Sequence, residues 1–269
     1  MTSFSADWLS RREPHDLRAR NPFILAAMTA SLKHLPYVRI IDLACGTGST
    51  LRKLSSHLPH RQHWQLADSD LDLLTHAMAM PRLPGVTVVA TPLDLNRDLE
   101  SAFDESVDLV TTSALLDLVS KSWLERLVVE ISTHAIPFYA ALSYDGRIRL
   151  SPRDPLDAAI IAAFNAHQRT DKGFGPALGP AATAFAIARF EAVGYSVIHG
   201  TSDWHIGLDD HEMQNEILAG WASAGREMGK LSLADTSAWL ARRRDLIAAG
   251  RSLIHIGHVD FFAAPISTR

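Results

Sequence analysis

One cysteine, Cys45, is the only thiol in the 269-residue chain. A single cysteine closes no internal disulfide, which suits a reducing compartment. Long apolar runs are missing as well: none approaches the roughly 20 residues that a helix needs to cross a bilayer. Residues 1–14, MTSFSADWLSRREP, lack the apolar core of a secretory signal. These absences predict a cytoplasmic protein that does not associate with membrane. Internal repeats and low-complexity tracts are absent too. There is no excess of positive charge. Lys and Arg number 26 against 30 Asp and Glu, a net charge of −4, so the chain as a whole attracts neither nucleic acid nor anionic membrane. Basic residues do cluster at Arg11, Arg12, Arg18 and Arg20 and again at Arg242–Arg244, and both groups read as solvated helix faces. His199, His205 and His211 fall in separate elements without metal-ligand spacing, so no metal site is expected.

What remains is an ordinary globular composition, 47% hydrophobic and 21% charged, which excludes a disordered chain or a fibre. The length allows one large α/β domain or two small ones. Helical spacing up to about Leu35 is carried by Phe23, Ile24, Ala27, Met28 and Leu32. Strand and helix signals then alternate. Val38–Ala44, His63–Ala67, Val86–Ala90, Val107–Thr112 and Ile136–Leu142 read as strands. Between them lie a helix with Leu51, Leu54 and Leu58 on one face, a helix capped by Ser69 or Asp70, and a helix from about Ser122 to Thr133. This alternation predicts a parallel sheet with helices on both faces.

Past Leu142 the pattern changes. Asp154–His167 is apolar, alanine-rich and helical, and Gln168–Pro180 is a loop. A helix starts at Pro180 and runs to Val193, with Gly194 just past its end. Tyr195–Gly200 reads as a strand, about Asp209–Met228 and Leu233–Ala249 as helices, and Ile254–Ala264 as the last strand. One domain with helical additions is expected. Residues 1–35 form a helical cap, and the domain over 36–269 carries insertions at about 150–176 and 203–252.

The most informative segment is Ile40–Thr50, IIDLACGTGST. A strand ends in Asp42, a tight turn carries Gly46 and Gly48, and a helix begins. Glycines let the backbone approach a ligand closely, and a helix N-terminus suits an anion. Dinucleotide-binding folds use the same place with G-x-G-x-x-G, but here Thr50 and Leu51 stand where the third glycine would fall. The next strand ends in Asp68, whose carboxylate can accept from both hydroxyls of a ribose, and Ser69 follows it. The third strand is followed by Asp94, placed to accept from an adenine amino group. Cys45 reads as a small buried residue of the turn rather than a nucleophile, since no His is paired with it in the motif.

On these residues the chain resembles the class I S-adenosylmethionine (SAM) dependent methyltransferases. IIDLACGTGS resembles their glycine-rich first motif, with Ala44 where a glycine often sits. Asp68 matches the ribose-binding acid, and Asp94 with Leu95 the adenine-contacting pair. VDLVTTSALLDLV (Val107–Val119) resembles the strand-four motif that borders the methyl group. The likeness is clear over Arg39–Leu142. It implies a Rossmann-like, seven-stranded, mostly parallel sheet whose last strand is antiparallel. It also implies SAM as cofactor, with S-adenosylhomocysteine as product. The expected cofactor-binding residues are Arg12, Asp42, Ala44, Cys45, Gly46, Gly48, Asp68, Ser69, Asp94, Leu95 and Ser113. In this family strands six and seven are usually joined by a short hairpin, whereas here about fifty residues intervene.

Ligands in open α/β sheets lie beyond the carboxyl ends of the strands. The acceptor is therefore expected near Ser113, Leu115, Asp117, Tyr144 and Asp145. Asn165–Phe174 (NAHQRTDKGF) is dense in polar groups, and His167, Arg169, Asp171 and Lys172 read either as a solvated loop or as a lid over the substrate. His167 is the expected general base, with Tyr144 and Asp117 as further catalytic candidates. Trp8, Arg12 and Arg20 have two readings, packing or contact with the cofactor, and an Arg suits a carboxylate. Trp204, Trp221 and Trp239 read as core. S-A-L-L stands where nucleic-acid amino methyltransferases carry N-P-P-Y, and no basic stripe is present, so a small molecule is the expected substrate and nucleic acid is not. The assembly is expected to be a monomer or homodimer. A catalytically silent partner subunit and an NAD-dependent oxidoreductase remain as alternatives.

Overall fold

Val38, Ile40, Ile41 and Leu43 present apolar side chains on both sides of one strand, β1 (Val38–Leu43), and such a strand belongs at the centre of a sheet. The computed structural model describes residues 4–81, 83–103 and 105–266. In it β2 (Gln62–Asp68) and β3 (Val86–Pro92) lie parallel on one side of β1. On the other side follow β4 (Leu109–Ser113) and β5 (Phe138–Ser151), also parallel. Then come β8 (Leu253–Pro265), antiparallel to its neighbours, and β6 (Tyr195–Thr201). The sheet order is β3-β2-β1-β4-β5-β8-β6. The seven expected strands are thus joined by an eighth, β7 (Trp204–Ile206), on β8. Three residues are too few to show an alternating pattern, and the sequence assigned them to a helical insertion.

Alternation along each strand divides the core in two. Ile41, Val110, Phe138, Ala140 and Phe261 pack with α5 (Lys121–Thr133) and α7 (Ala182–Ala192). Ile40, Trp64, Leu66, Tyr139 and Ala141 pack with α2 (Pro22–Leu32), α3 (Ser49–Leu54) and α4 (Leu71–Met78). Helix starts follow their caps. Asp70 accepts from Asp72 and Leu73 N–H at α4, and Ser120 accepts from Trp123 N–H at α5. α3 stops at Leu54, short of the expected Leu58.

β5 continues far beyond its expected end at Leu142. Asp-Gly pairs commonly sit in hairpin turns. In the structure Gly146 takes φ +90° within an irregular stretch of the β5–β8 ladder between Tyr144 and Ile148. The strand then resumes, as a bulged strand can. The outer half of β5, the first half of β8 and β7 form a ribbon that overhangs the carboxyl ends of the parallel strands. Arg147 fixes its edge, bonding Asp145 on one side and Asp203 on the other, 2.8 Å away. It crosses β8 at Gly257, where a Cβ would come within 2.3 Å of Asp145 Oδ1.

Three helices cover the ribbon: α6 (Asp157–His167), α8 (His211–Glu227) and α9 (Leu233–Ala248). Together they bury a third apolar cluster, including Leu150, Ile160, Trp221, Trp239 and Ile254. The fully buried Arg243 of α9 pairs with Asp157 of α6, and Trp239 Nε1 donates to Asp157 Oδ1 at 2.9 Å. Among the described residues no helix is long and apolar enough to cross a membrane.

Candidate functional site

A cavity of about 1080 Å³ opens at the carboxyl ends of the parallel strands. It lies where the sheet order reverses, between β1 and β4, the place where open α/β sheets take ligands. One side is closed by α1 (Ala6–Ala19), whose Trp8, Arg12 and Asp16 repeat every four residues and so share a face. Among the described residues four non-glycine residues have positive φ. Three of them, Ala44 (+52°), Ala114 (+53°) and Leu142 (+54°), line this cavity. Each left-handed residue with a Cβ costs about 1–2 kcal/mol, so backbone strain is concentrated at the strand ends. At Leu142 the strain is held by the buried Asp260, which accepts from Leu142 N–H at 2.8 Å, from Asn21 N–H at 2.9 Å and from Tyr139 OH at 3.2 Å.

The end beside β1 and β2 is built largely of backbone. Gly46 (φ +54°) donates its N–H to Asp68 Oδ2 at 2.9 Å, and a Cβ there would stand 3.1 Å from Leu9. Asp68 Oδ1 accepts from Asp70 N–H at 3.0 Å. Burial pushes the Asp68 carboxyl up, against the backbone N–H groups of Asp70, Gly46 and Ser69. Leu73, Leu93 and Leu95 form an apolar slot beside it, and Thr47, Ser49 and Thr50 line the turn. Burial pushes the Cys45 thiol far up, which makes it a poor nucleophile.

Asp42 is wholly buried beneath the turn. Its Oδ1 accepts from Thr111 Oγ1 at 2.8 Å, and its Oδ2 has no hydrogen-bond partner. Burial pushes its carboxyl up to about 7, opposed by Thr111 and Arg20. The Arg20 guanidinium is also buried and donates to Thr50 Oγ1 (3.3 Å) and Ser113 Oγ (3.2 Å), both on the cavity wall. It supports the wall from behind.

The far end is built of side chains. Five rings follow one another: Trp221, Phe164, Tyr144, His258 and Trp204, with neighbouring centroids 5.8, 5.5, 6.2 and 5.0 Å apart. All five line the cavity. Arg12 lies over the last ring, 5.0 Å from its centroid, and pairs with Asp16 at 2.9 Å, while Trp204 Nε1 donates to Asp16 Oδ1 at 3.0 Å. Burial pushes the His258 ring down to about 3, helped by Arg12, so it is neutral, and its Nδ1 has no partner. Asp117 is 5% exposed. Its Oδ1 has no hydrogen-bond partner, Oδ2 lies 3.4 Å from Gln168 Nε2, and the backbone N–H groups of Asp117 and Tyr144 act on the carboxyl. Burial pushes its carboxyl up to about 6, opposed by backbone N–H groups, Arg12 and Lys172.

No family model and no curated protein matches the sequence. Solved structures do match. A cyclopropane-fatty-acyl-phospholipid synthase-like protein of Lactobacillus casei is 17% identical, over 97% of this chain and 94% of its own, with a TM-score of 0.53. A cyclopropane synthase of Mycobacterium tuberculosis is 11% identical, over 97% and 94%, with a TM-score of 0.51. The YcgJ protein of Bacillus subtilis is 14% identical, over 92% and 100%, with a TM-score of 0.52. The chain has the class I methyltransferase fold.

Within this methyltransferase fold the expected site residues divide. Arg12, Ala44, Cys45, Gly46, Asp68, Ser69, Leu95, Ser113, Asp117, Tyr144 and His167 all reach the cavity wall. Asp42, Gly48 and Asp94 do not. Gly48 (φ +81°) starts α3 behind the turn, and α3 is only six residues long, which leaves it little macrodipole. Asp94 turns outward, accepting from Asn96 N–H at 3.0 Å and facing Arg97 at 3.6 Å. Its neighbours Leu93 and Leu95 reach the wall in its place.

The Tyr144 hydroxyl is committed to Asn165 Oδ1 at 2.7 Å, and burial pushes the phenol up, so it stays protonated. Both nitrogens of His167 face protein: Nε2 lies 3.1 Å from Glu227 and Nδ1 3.3 Å from Lys172 Nζ, which also donates to Thr170 Oγ1 at 3.0 Å. The 168–180 segment is an ordered wall. Asp171 Oδ1 accepts from Gly173 and Gly175 N–H, Leu178 N–H donates to Val119 O, and Phe174 packs on Trp123 at 5.4 Å. Sequence reasoning missed Phe164, Gln168 and His258, and read Trp204 and Trp221 as core alone. They come from four different elements and the loop after α6, and no local pattern joins them.

Proposed function

We propose that the chain is a SAM-dependent methyltransferase acting on a small-molecule acceptor. One observation carries this reading. A single cavity joins the glycine turn and Asp68 at one end to a buried, unpartnered carboxylate oxygen of Asp117 at the other. Its volume of about 1080 Å³ lies just above the roughly 300–1,000 Å³ range of single-ligand pockets, which favours two ligands side by side. Walls of helix α1, the 168–180 segment and helix α8 favour an acceptor small enough to be enclosed. The cap over residues 1–35 and the insertions at about 150–176 and 203–252 are read as parts of one domain that closes this space.

The residues present fit the cofactor. Asp68 lines the cavity where a ribose hydroxyl can donate to it, the slot of Leu73, Leu93 and Leu95 suits an adenine, and Thr47, Ser49 and Thr50 suit an amino-acid end. Arg12 has five N–H donors and gives two to Asp16, so it keeps donors for a carboxylate. When bound, SAM supplies an electrophilic methyl group on a positively charged sulfur. The chain's own task is then alignment and exclusion of water. A proton leaving the acceptor is best taken by Asp117, whose carboxyl titrates near about 6. His167 orients Lys172 and is not itself free to act as the base.

Calorimetry tests the reading. S-adenosylhomocysteine is expected to bind and NAD not to bind. Binding of NAD without S-adenosylhomocysteine overturns it.

A further inference from the structure

Most charged groups at the far end of the cavity have hydrogen-bonding partners, and of its carboxylates Asp117, on which the charges of Arg12 and Lys172 act, is the one with a buried oxygen left without such a partner. Arg12 is paired with Asp16 at 2.9 Å. Glu216 is paired with Arg11 at 3.0 Å. Lys172 is held by Thr170 and by His167, whose other nitrogen meets Glu227. Asp171 has its Oδ1 taken by two backbone N–H groups. Asp117 is left with one carboxylate oxygen that nothing in the protein satisfies, though the residue is buried and lines the cavity. A buried unpaired acceptor costs about 1–3 kcal/mol, more when charged, and a ligand that donates to it recovers that cost.

The rings specify the donor further. Tyr144 lies next to Asp117 across the cavity end and is flanked by Phe164 on one side and the neutral His258 on the other. Aromatic faces carry partial negative charge and attract a cation. His258 adds no positive charge to oppose one. A carboxylate or phosphate would meet the Asp117 carboxylate.

We propose that this end of the cavity is a binding site for a small organic cation, an amine in its ammonium form on a flat or apolar body. The ammonium donates to Asp117 and its body lies along the rings of Tyr144, Phe164 and His258. The inference rests on the reading that this end receives the methyl acceptor, and it makes that acceptor an amine.

The test uses three probes of one shape: phenethylamine, 2-phenylethanol and 3-phenylpropionate, titrated into the full chain and followed by tryptophan fluorescence, since Trp204 and Trp221 line the site. Phenethylamine is expected to bind at least about tenfold more tightly than the alcohol, and the acid most weakly. Asp117→Asn should bring the amine down to the affinity of the alcohol and leave the alcohol unchanged. Lys172→Met, which removes a competing cation and leaves Asp117 in place, should tighten the amine several-fold. Equal affinity for amine and alcohol, tightest binding of the acid, or no binding of the amine overturns the proposal. S-adenosylhomocysteine titrated in parallel separates the two readings. Amine binding without it removes only the cofactor assignment, and its binding without amine preference removes only the present inference.

Discussion

The two ends of the cavity are made in different ways. The end beside β1 and β2 comes from short segments at successive strand ends, around 44–50, 68–73 and 93–95. Its polar groups are backbone N–H, short hydroxyl side chains and the carboxylates of Asp68 and Asp70, Asp68 being held by backbone N–H groups. The far end takes side chains from β5, α6, β7, α8 and β8 and carries its own apolar cluster. A backbone-built site follows from the topology of the sheet and depends on few side chains, Asp68 foremost. A site built of side chains depends on how separate elements dock, so it is where specificity can vary while the fold stays.

That contrast can be broken from either side. The largest expected effect is on the far end. Trp239→Ala removes a wholly buried ring and its bond to Asp157, and should cost about 3–5 kcal/mol in urea unfolding. S-adenosylhomocysteine affinity in the folded variant should stay within about threefold of the parent, because additivity holds for distant sites. A large loss would mean that the two ends are one cooperative unit. The mirror experiment is Asp68→Ala, expected to weaken S-adenosylhomocysteine by about a hundredfold, the worth of two charged hydrogen bonds, and to leave phenethylamine binding unchanged. Unaltered cofactor affinity by calorimetry would remove Asp68 from the site.

Single buried groups around the cavity respond oppositely to pH. His258 is neutral when folded, with its ring pushed down to about 3 from 6.5. Its contribution is therefore present above pH 6.5 and lost as pH falls through that window toward 3. Asp42 is pushed up to about 7 from 3.8. Its contribution is present below pH 3.8 and lost as pH rises through 7. Asp117, pushed up to about 6, works in the same sense as Asp42. His258→Phe should therefore gain on the parent by about 2 kcal/mol between pH 6.5 and 5, and Asp42→Asn by a similar amount between about pH 5 and 6.5. Unfolding curves at each pH decide this. Parallel profiles for parent and variant would show that the group does not titrate as its burial implies. The smallest effect is Ala44→Gly. Relief of the +52° φ should stabilise the chain by up to about 1 kcal/mol, and a loss of stability would show that the Ala44 methyl packs more than it strains.

Legibility in the sequence follows the same division. Val38–Leu43 and its neighbours read as strands because buried parallel strands are continuous apolar runs. The glycine turn and Asp68 read as a ligand site because their chemistry is local. Asp94 reads equally well, yet its side chain turns outward to Arg97; residue type at a strand end does not set which way a loop carboxylate points. The apolar run of β5 stops at Leu142, and the polar residues beyond it carry no strand signal of their own. Only pairing with β8 carries the strand through Gly146. The ring series was invisible, since its members stand at 144, 164, 204, 221 and 258 and adjoin only once the ribbon and α8 are docked.

By itself, the sequence determined the parallel α/β sheet, the glycine turn at its centre and the acid that ends β2, because strand periodicity, glycine conformation and a carboxylate's lone pairs are local properties. Only the tertiary structure decided what faces the cofactor end across the cavity. The overhanging ribbon, the neutral His258 and the unpaired oxygen of Asp117 are results of burial, and burial is a property of the whole packed chain.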